Sequence, residues 1–296
     1  MSKDLPKISL ITPSFNQAQF LEATIQSVIS QNYPNLEYII IDGGSTDGSL
    51  EIIKKYENYF HFWCSEPDGG QYDAINKGFS HSTGEIMAWI NSDDMYFVWT
   101  LKTVASIMYE LPQVEWLTSL NPGMWDSQGF CLGLRSVAGY SQESFLDGHF
   151  LPSRGCIQQE STFWRRSLWE KAGGHISTQY KLAGDFELWS RFYLYTELFA
   201  TTSPLGGFRY HKNQRSYQKQ EDYLVEAKEA LATMRYRCNW TPNYLRGLSK
   251  RLKLNKMPIF RQLIDKMYGY TGKMILKKDL YLQDTNWSLE CYKFYC

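Results

Sequence analysis

No CxxC pair occurs in this 296-residue chain, and its six cysteines (Cys64, Cys131, Cys156, Cys238, Cys291, Cys296) are widely scattered. That pattern lacks the ligand spacing of a zinc ribbon and the density of a secreted disulfide scaffold, so a reducing compartment is expected. Long apolar runs are missing too: none approaches the roughly 18 residues that a membrane-spanning helix needs. Only a few polar residues precede the first strand-like run, which reads as a chain without a leader, cytoplasmic, and soluble or peripheral at the inner face of the membrane. Net charge is absent, with 31 Lys and Arg against 31 Asp and Glu. Global charge therefore names no partner, and nucleic acid is not expected. There is no internal repeat and no low-complexity segment. The length suits one large α/β domain, with or without an appendage.

What the chain does have is an uneven placement of its charge. Residues 235–278 hold twelve Lys or Arg against one acid, Asp265. Within them Leu245, Leu248 and Leu252 alternate with Arg246, Lys250, Arg251, Lys253 and Lys256 in the pattern of a basic amphipathic helix. Such a face suits an anionic membrane surface, and a merely solvated helix would carry the same pattern. We divide the chain at this change of character, into residues 1–216 and a helical, basic C-terminal extension over 217–296. Aromatic residues are abundant, and most are expected in the core rather than in sugar-stacking platforms.

Continuous apolar runs at 8–12, 36–41, 60–64 and 86–90 read as buried strands, and helical spacing recurs at 19–30, 48–56 and 71–79. Strands alternating with helices imply βαβ units and a mostly parallel sheet. Beyond residue 98 the alternation weakens. Helices are expected over 99–111, 184–195 and 221–236, a strand over 114–119, a turn-rich stretch over 121–133, and a strand leading into a helix over 163–172.

Acidic residues gather where such strands end. Asp42 follows the second strand in a turn with two glycines, where a carboxylate can accept from a base or a ribose hydroxyl or can simply stabilise the turn. Asp68 lies in a Pro-Asp-Gly turn, which is a strong turn former in its own right. Asp93 and Asp94 are adjacent after the fourth strand; like charges side by side are best tolerated when a cation or several donors hold them, and hard oxygen ligands fit Mg²⁺ or Mn²⁺. An N-cap role for the next helix is the competing explanation. Asp185 opens a helix, where it can complement the helix dipole or do chemistry. His211 follows a short strand-like run and reads as a ligand or as an ordinary surface or core histidine.

Taken in order and spacing, seven segments resemble the family 2 glycosyltransferases of GT-A fold, of the bacterial surface-polysaccharide type. They are Thr12, Pro13, Phe15 and Asn16; the Asp42 turn; residues 65–78; Asn91 to Asp94; 159–174; 184–191; and 209–216. The resemblance implies an α/β, mostly parallel nucleotide-binding sheet flanked by helices. It implies an inverting, metal-dependent transferase that uses a nucleotide-sugar donor and a glycan or lipid-linked acceptor. By the same resemblance Thr12, Pro13, Asp42, Asp68 and Asp93 would contact the donor, and Asp94, as the last acid of a DxD-type motif, would bind Mn²⁺ or Mg²⁺. Asp185 would be the catalytic base, and His211 stands where some relatives supply another metal ligand. Trp164, Arg165, Arg166 and Trp189 are placed either to border the acceptor or to pack. A sugar nucleotidyltransferase would need a Gly-rich, basic N-terminal loop, and residues 11–19 contain neither glycine nor a basic residue. A nucleotide-sugar binding module without turnover is the other alternative, against which the retained Asp94 and Asp185 argue.

Overall fold

Seven consecutive buried residues make β1 (Ile8–Ser14) a strand covered on both faces, as its unbroken apolar run requires. The computed structural model describes residues 5–151, 156–212, 214–244, 269–277 and 286–294. After β1 come α1 (Ala18–Ile29), β2 (Leu36–Asp42), α2 (Ser49–Lys55), β3 (Phe62–Ser65), α3 (Gln71–Ser80) and β4 (Ile86–Trp89). Then follow β5 (Met95–Tyr96), α4 (Thr100–Glu110), β6 (Trp116–Ser119), β7 (Gly123–Trp125), β8 (Cys131–Leu134) and α5 (Gln142–Leu146). The second half continues with β9 (Phe163–Arg165), α6 (Arg166–Lys171), α7 (Gly184–Phe192), β10 (Phe199–Thr201), β11 (Gly206–Arg209), α8 (Arg215–Gln218), α9 (Gln220–Arg237), β12 (Tyr270–Lys277) and β13 (Trp287–Phe294).

The main sheet runs β13-β12-β10-β6-β9-β4-β1-β2-β3, and a smaller one runs β5-β11-β7-β8. Pairing is parallel through β4, β1, β2 and β3, as the βαβ reading anticipates. Strand β9 enters antiparallel between β4 and β6. The strand itself, and helix α6 after it, fall where the sequence places a strand leading into a helix over 163–172, whereas its antiparallel pairing depends on partners far away in the chain.

The C-terminal extension differs from its expectation. Helix α9 forms as read, but β12 pairs with β10 and β13 with β12, so both strands continue the main sheet rather than standing in a separate helical appendage. The basic amphipathic helix expected over 245–256 lies outside the described residues.

A cluster of four tryptophans fixes the second half on the first. Trp89 of β4, Trp116 of β6 and Trp164 of β9 rise from the sheet to meet Trp189 of α7, with ring centroids 5.4 to 5.8 Å apart. All four are essentially fully buried. Truncating any one to alanine would cost about 3–5 kcal/mol. This packing holds α7 against β4, β6 and β9. Trp164 and Trp189 are thus core residues. Arg165 and Arg166 are tied to the carbonyl oxygens of Val114 and Gly84, which leaves none of the four as an acceptor platform.

Candidate active site

A cavity of about 1060 Å³ opens beyond the carboxyl ends of β1, β2 and β4, where ligands bind in open α/β sheets. Pro13, Asp68, Asp93 and Asp185 line it. Thr12, Asp42, Asp94 and His211 do not appear in its lining.

Thr12 and Asp42 lie behind the floor. The Thr12 hydroxyl is 3.2 Å from that of Tyr38. Asp42 is fully buried, and its carboxylate accepts from the Gly44 and Ser45 backbone N–H groups and from the Ser45 and Ser65 hydroxyls. Four donors consume it, so the Asp42 side chain shapes the turn and leaves Gly43 and Gly44 to face the cavity. Gly43 admits Asp68 closely: a Cβ there would stand 3.0 Å from the Asp68 carboxylate. Asp68 accepts from the Gly70 N–H at the start of α3, and burial, with the charges of Asp73 and Asp42 adding to it, raises its pKa.

At the end of β4 the acidic pair divides its labour differently from the sequence expectation. Asp94 turns inward, 1% exposed, where its oxygens accept from the Arg209 backbone N–H and the Asn91 amide at 3.0 and 3.2 Å. Asp93 reaches the cavity instead, with Oδ2 3.0 Å from Nε2 of His211. Asp94 is held under β11 by the Arg209 N–H, and Asp93 is the residue of the pair that lines the cavity. Neither caps α4, whose N-cap is Trp99. His211 packs on the Phe20 ring with centroids 4.4 Å apart, and its Nδ1 is buried without a partner among the described residues.

A divalent cation fits this corner. Among the described residues no three His, Cys, Asp or Glu close on a metal by themselves. The donor set is nevertheless of the open kind that Mg²⁺ and Mn²⁺ use, with one or two protein ligands completed by water and substrate phosphate. Burial, then the charges of Asp93 and Glu160, push the Asp94 carboxyl well above the carboxylate range. A cation beside it would relieve that repulsion.

Asp185 lines the same cavity from the first turn of α7. Its Oδ1 accepts from the Phe186 N–H at 2.8 Å and from the Tyr223 hydroxyl at 3.3 Å. Burial pushes its pKa up to about 6, outweighing those hydrogen bonds. A helix-dipole role alone would have favoured the charged form. The loop before it is fastened from outside: Glu226 of α9 accepts the consecutive N–H groups of Lys181, Leu182 and Ala183, while the Tyr72 hydroxyl donates to the Leu182 carbonyl.

Sequence reasoning missed Tyr72, Tyr223, Glu226, Glu160 and Arg209. Arg209 is 2% exposed, and its Nε and Nη2 lack partners among the described residues. Burial lowers its pKa although Asp94 and Asp93 lie nearby. Nothing local marked these residues, except that Tyr72, Glu160 and Arg209 fall inside segments that carried the resemblance.

Comparison with known proteins converges on one family. The family model described as Glycosyl transferase family 2 matches residues 9–114. An uncharacterized glycosyltransferase of Mycobacterium tuberculosis (strain ATCC 25618 / H37Rv) is 33% identical over 192 residues, covering 62% of this chain and 67% of that protein. TuaG of Bacillus subtilis (strain 168), whose name places it in teichuronic acid biosynthesis, is 37% identical over 94 residues, covering 31% of this chain and 37% of TuaG. Among solved structures, S. aureus TarS 1-349 in complex with UDP-GlcNAc superposes with a TM-score of 0.62 at 20% identity, over 77% of this chain and 66% of that one. The mannosyltransferase PcManGT from Pyrobaculum calidifontis, in complex with GDP-Man and Mn²⁺, superposes with a TM-score of 0.52 at 16% identity, over 88% and 84%. The match thus spans about two thirds of the length of the mycobacterial protein and of the TarS chain. The solved structures speak for the fold, which is GT-A.

Proposed function

The chain belongs to the family 2 glycosyltransferases, and from that membership we propose that it moves a sugar from a nucleotide-sugar donor to a hydroxyl acceptor, inverting the anomeric carbon. The observation that carries this is one cavity lined both by Asp93, after a strand end, and by Asp185, at the start of a helix. The two carboxylates differ in setting, as two different tasks require.

Asp185 is the base. A hydroxyl attacking the anomeric carbon must shed its proton, and a carboxyl whose pKa stands at about 6 is ionised at neutral pH yet basic enough to take it. Tyr223 and the Phe186 N–H hold the carboxylate in one orientation. One displacement of this kind inverts the centre. Asp93 and His211 would hold Mn²⁺ or Mg²⁺ at the diphosphate end, with Asp94 behind them. Such a cation supplies Lewis-acid stabilisation to a diphosphate leaving group. Pro13, Gly43, Gly44 and Asp68 form the nucleotide wall, with Thr12 and Asp42 supporting it from behind.

The likeness to TuaG supports a place in bacterial surface-polysaccharide synthesis, with a glycan or lipid-linked acceptor. No helix of the described residues is long and apolar enough to cross a membrane. We assign the enzyme to the cytoplasmic side, where nucleotide sugars are made, with the basic stretch 235–278 as its contact with anionic lipid. The test is thermal stabilisation by a panel of nucleotide sugars with and without Mn²⁺, since a ligand that binds only the native state raises its apparent stability. A clear shift with at least one of them is expected. No shift with any would contradict the proposal.

A further inference from the structure

The cavity that Asp93 and Asp185 line is also lined by three consecutive residues, Gln158, Gln159 and Glu160, at the short turn that precedes β9. Each is less than 8% exposed, and the Oε1 atom of each is buried with no hydrogen-bond partner among the described residues. Buried acceptors left unpaired are costly, and a run of three in one wall calls for an explanation. The orientation of Gln159 is not in doubt on chemical grounds. Its Nε2 donates to the Trp89 carbonyl at 2.5 Å, and a carbonyl can only accept, so Oε1 must be the free atom.

The turn is rigidly built. The Ser161 hydroxyl donates to the Gly206 carbonyl at 3.0 Å and accepts the Gly206 N–H at 3.1 Å. A Cβ at Gly206 would collide with the Glu160 carbonyl oxygen, so β11 presses on the turn as only glycine allows. A wall fixed in this way holds its side chains at set positions before any ligand arrives.

We propose that Gln159 Oε1 and the Glu160 carboxyl, with Gln158 beside them, accept hydroxyl hydrogens of the sugar ring being transferred, and so determine which sugar the enzyme uses. The place is right for that ring. Glu160 and both glutamines line the same cavity as Asp185, the proposed base, and Asp93, at the proposed diphosphate end, and the transferred sugar must lie between base and leaving group. The chemistry is right as well: a neutral sugar offers several O–H donors, whereas a phosphate or carboxylate offers none to an array of acceptors. Burial pushes the Glu160 carboxyl upward, which favours a neutral group that can donate to one ring oxygen while accepting from another.

This inference rests on the donor reading above, and calorimetric titration of the full chain in Mn²⁺ separates the two. The probes are UDP-glucose, UDP-galactose, UDP-GlcNAc and GDP-mannose, each beside its sugar-free UDP or GDP. In Gln159→Leu and in Glu160→Ala the best nucleotide sugar should weaken about tenfold or more while the matching nucleoside diphosphate changes by less than about twofold. Glu160→Gln keeps the shape of the side chain and should lose less than Glu160→Ala, and it remains informative if the alanine variant does not fold. Equal losses for the nucleotide sugar and the diphosphate, or no loss for either, would overturn the sugar-reading role while leaving the donor reading intact. A native protein that binds none of the probes would overturn both.

Discussion

The ring of Tyr72 stands 2.7 Å from the position that a Cβ on Gly184 would occupy. Helix α3 from the nucleotide-binding half therefore abuts the first turn of α7, one residue before Asp185. Gly184→Ala forces the ring or the helix start to move. We expect a loss of about 1–3 kcal/mol in urea unfolding, the usual scale of overpacking. Because the displaced element carries Asp185, kcat should fall more than donor affinity. Unchanged stability and unchanged kcat would show that this contact positions nothing.

Asp185 should itself cost the fold stability at neutral pH. Its folded pKa of about 6 lies above the ordinary aspartate value near 3.9. The protonated form is thus favoured by folding, and stability falls as pH rises from about 4 to about 6, then stays level. Asp185→Asn removes that penalty. The variant should be about 1–2 kcal/mol more stable than the native chain at pH 7.5 and no more stable at pH 4, measured by denaturant melts. A variant less stable at both values would contradict the burial argument.

Removal of the cation ligands should separate Asp93 from the rest of the pocket. In Asp93→Ala the extra thermal stabilisation that Mn²⁺ adds to a nucleoside diphosphate should disappear, and transfer with it. Excess chelator on the native chain should do the same. Transfer that persists undiminished in chelator would refute a cation at this corner.

Much of the first half was legible because β1, β2 and β4 are buried on both faces and the helices α1 and α3 between them are amphipathic. Asp68 and Asp93, which follow strands, and Asp185, in the first turn of α7, all fall on the cavity where βαβ logic puts ligands. Which acid of an adjacent pair faces outward was not legible. Asp93 and Asp94 are chemically identical, and what distinguishes them is the Arg209 N–H, contributed from 115 positions further along the chain. Distance in sequence hid the supports of Asp185 in the same way, since Tyr72 and Glu226 lie on α3 and α9. The short strand β10 carried too few residues for a pattern, and the pairing of both β9 and β10 depends on neighbours far away in the chain.

The account turns on Asp185 taking a proton, and the pH dependence of transfer measures that directly. The assay follows nucleoside diphosphate release from the best-binding nucleotide sugar, in Mn²⁺ with a cell-envelope glycan fraction as acceptor. In the native chain kcat/KM should rise about tenfold per pH unit below about 6 and level off above it, because only the ionised carboxylate is competent. Asp185→Asn should bind the donor normally, lose that rise and run roughly 10²-fold to 10⁴-fold slower. A native profile flat from pH 5 to 8, or an Asp185→Asn variant with native turnover, would contradict the assignment.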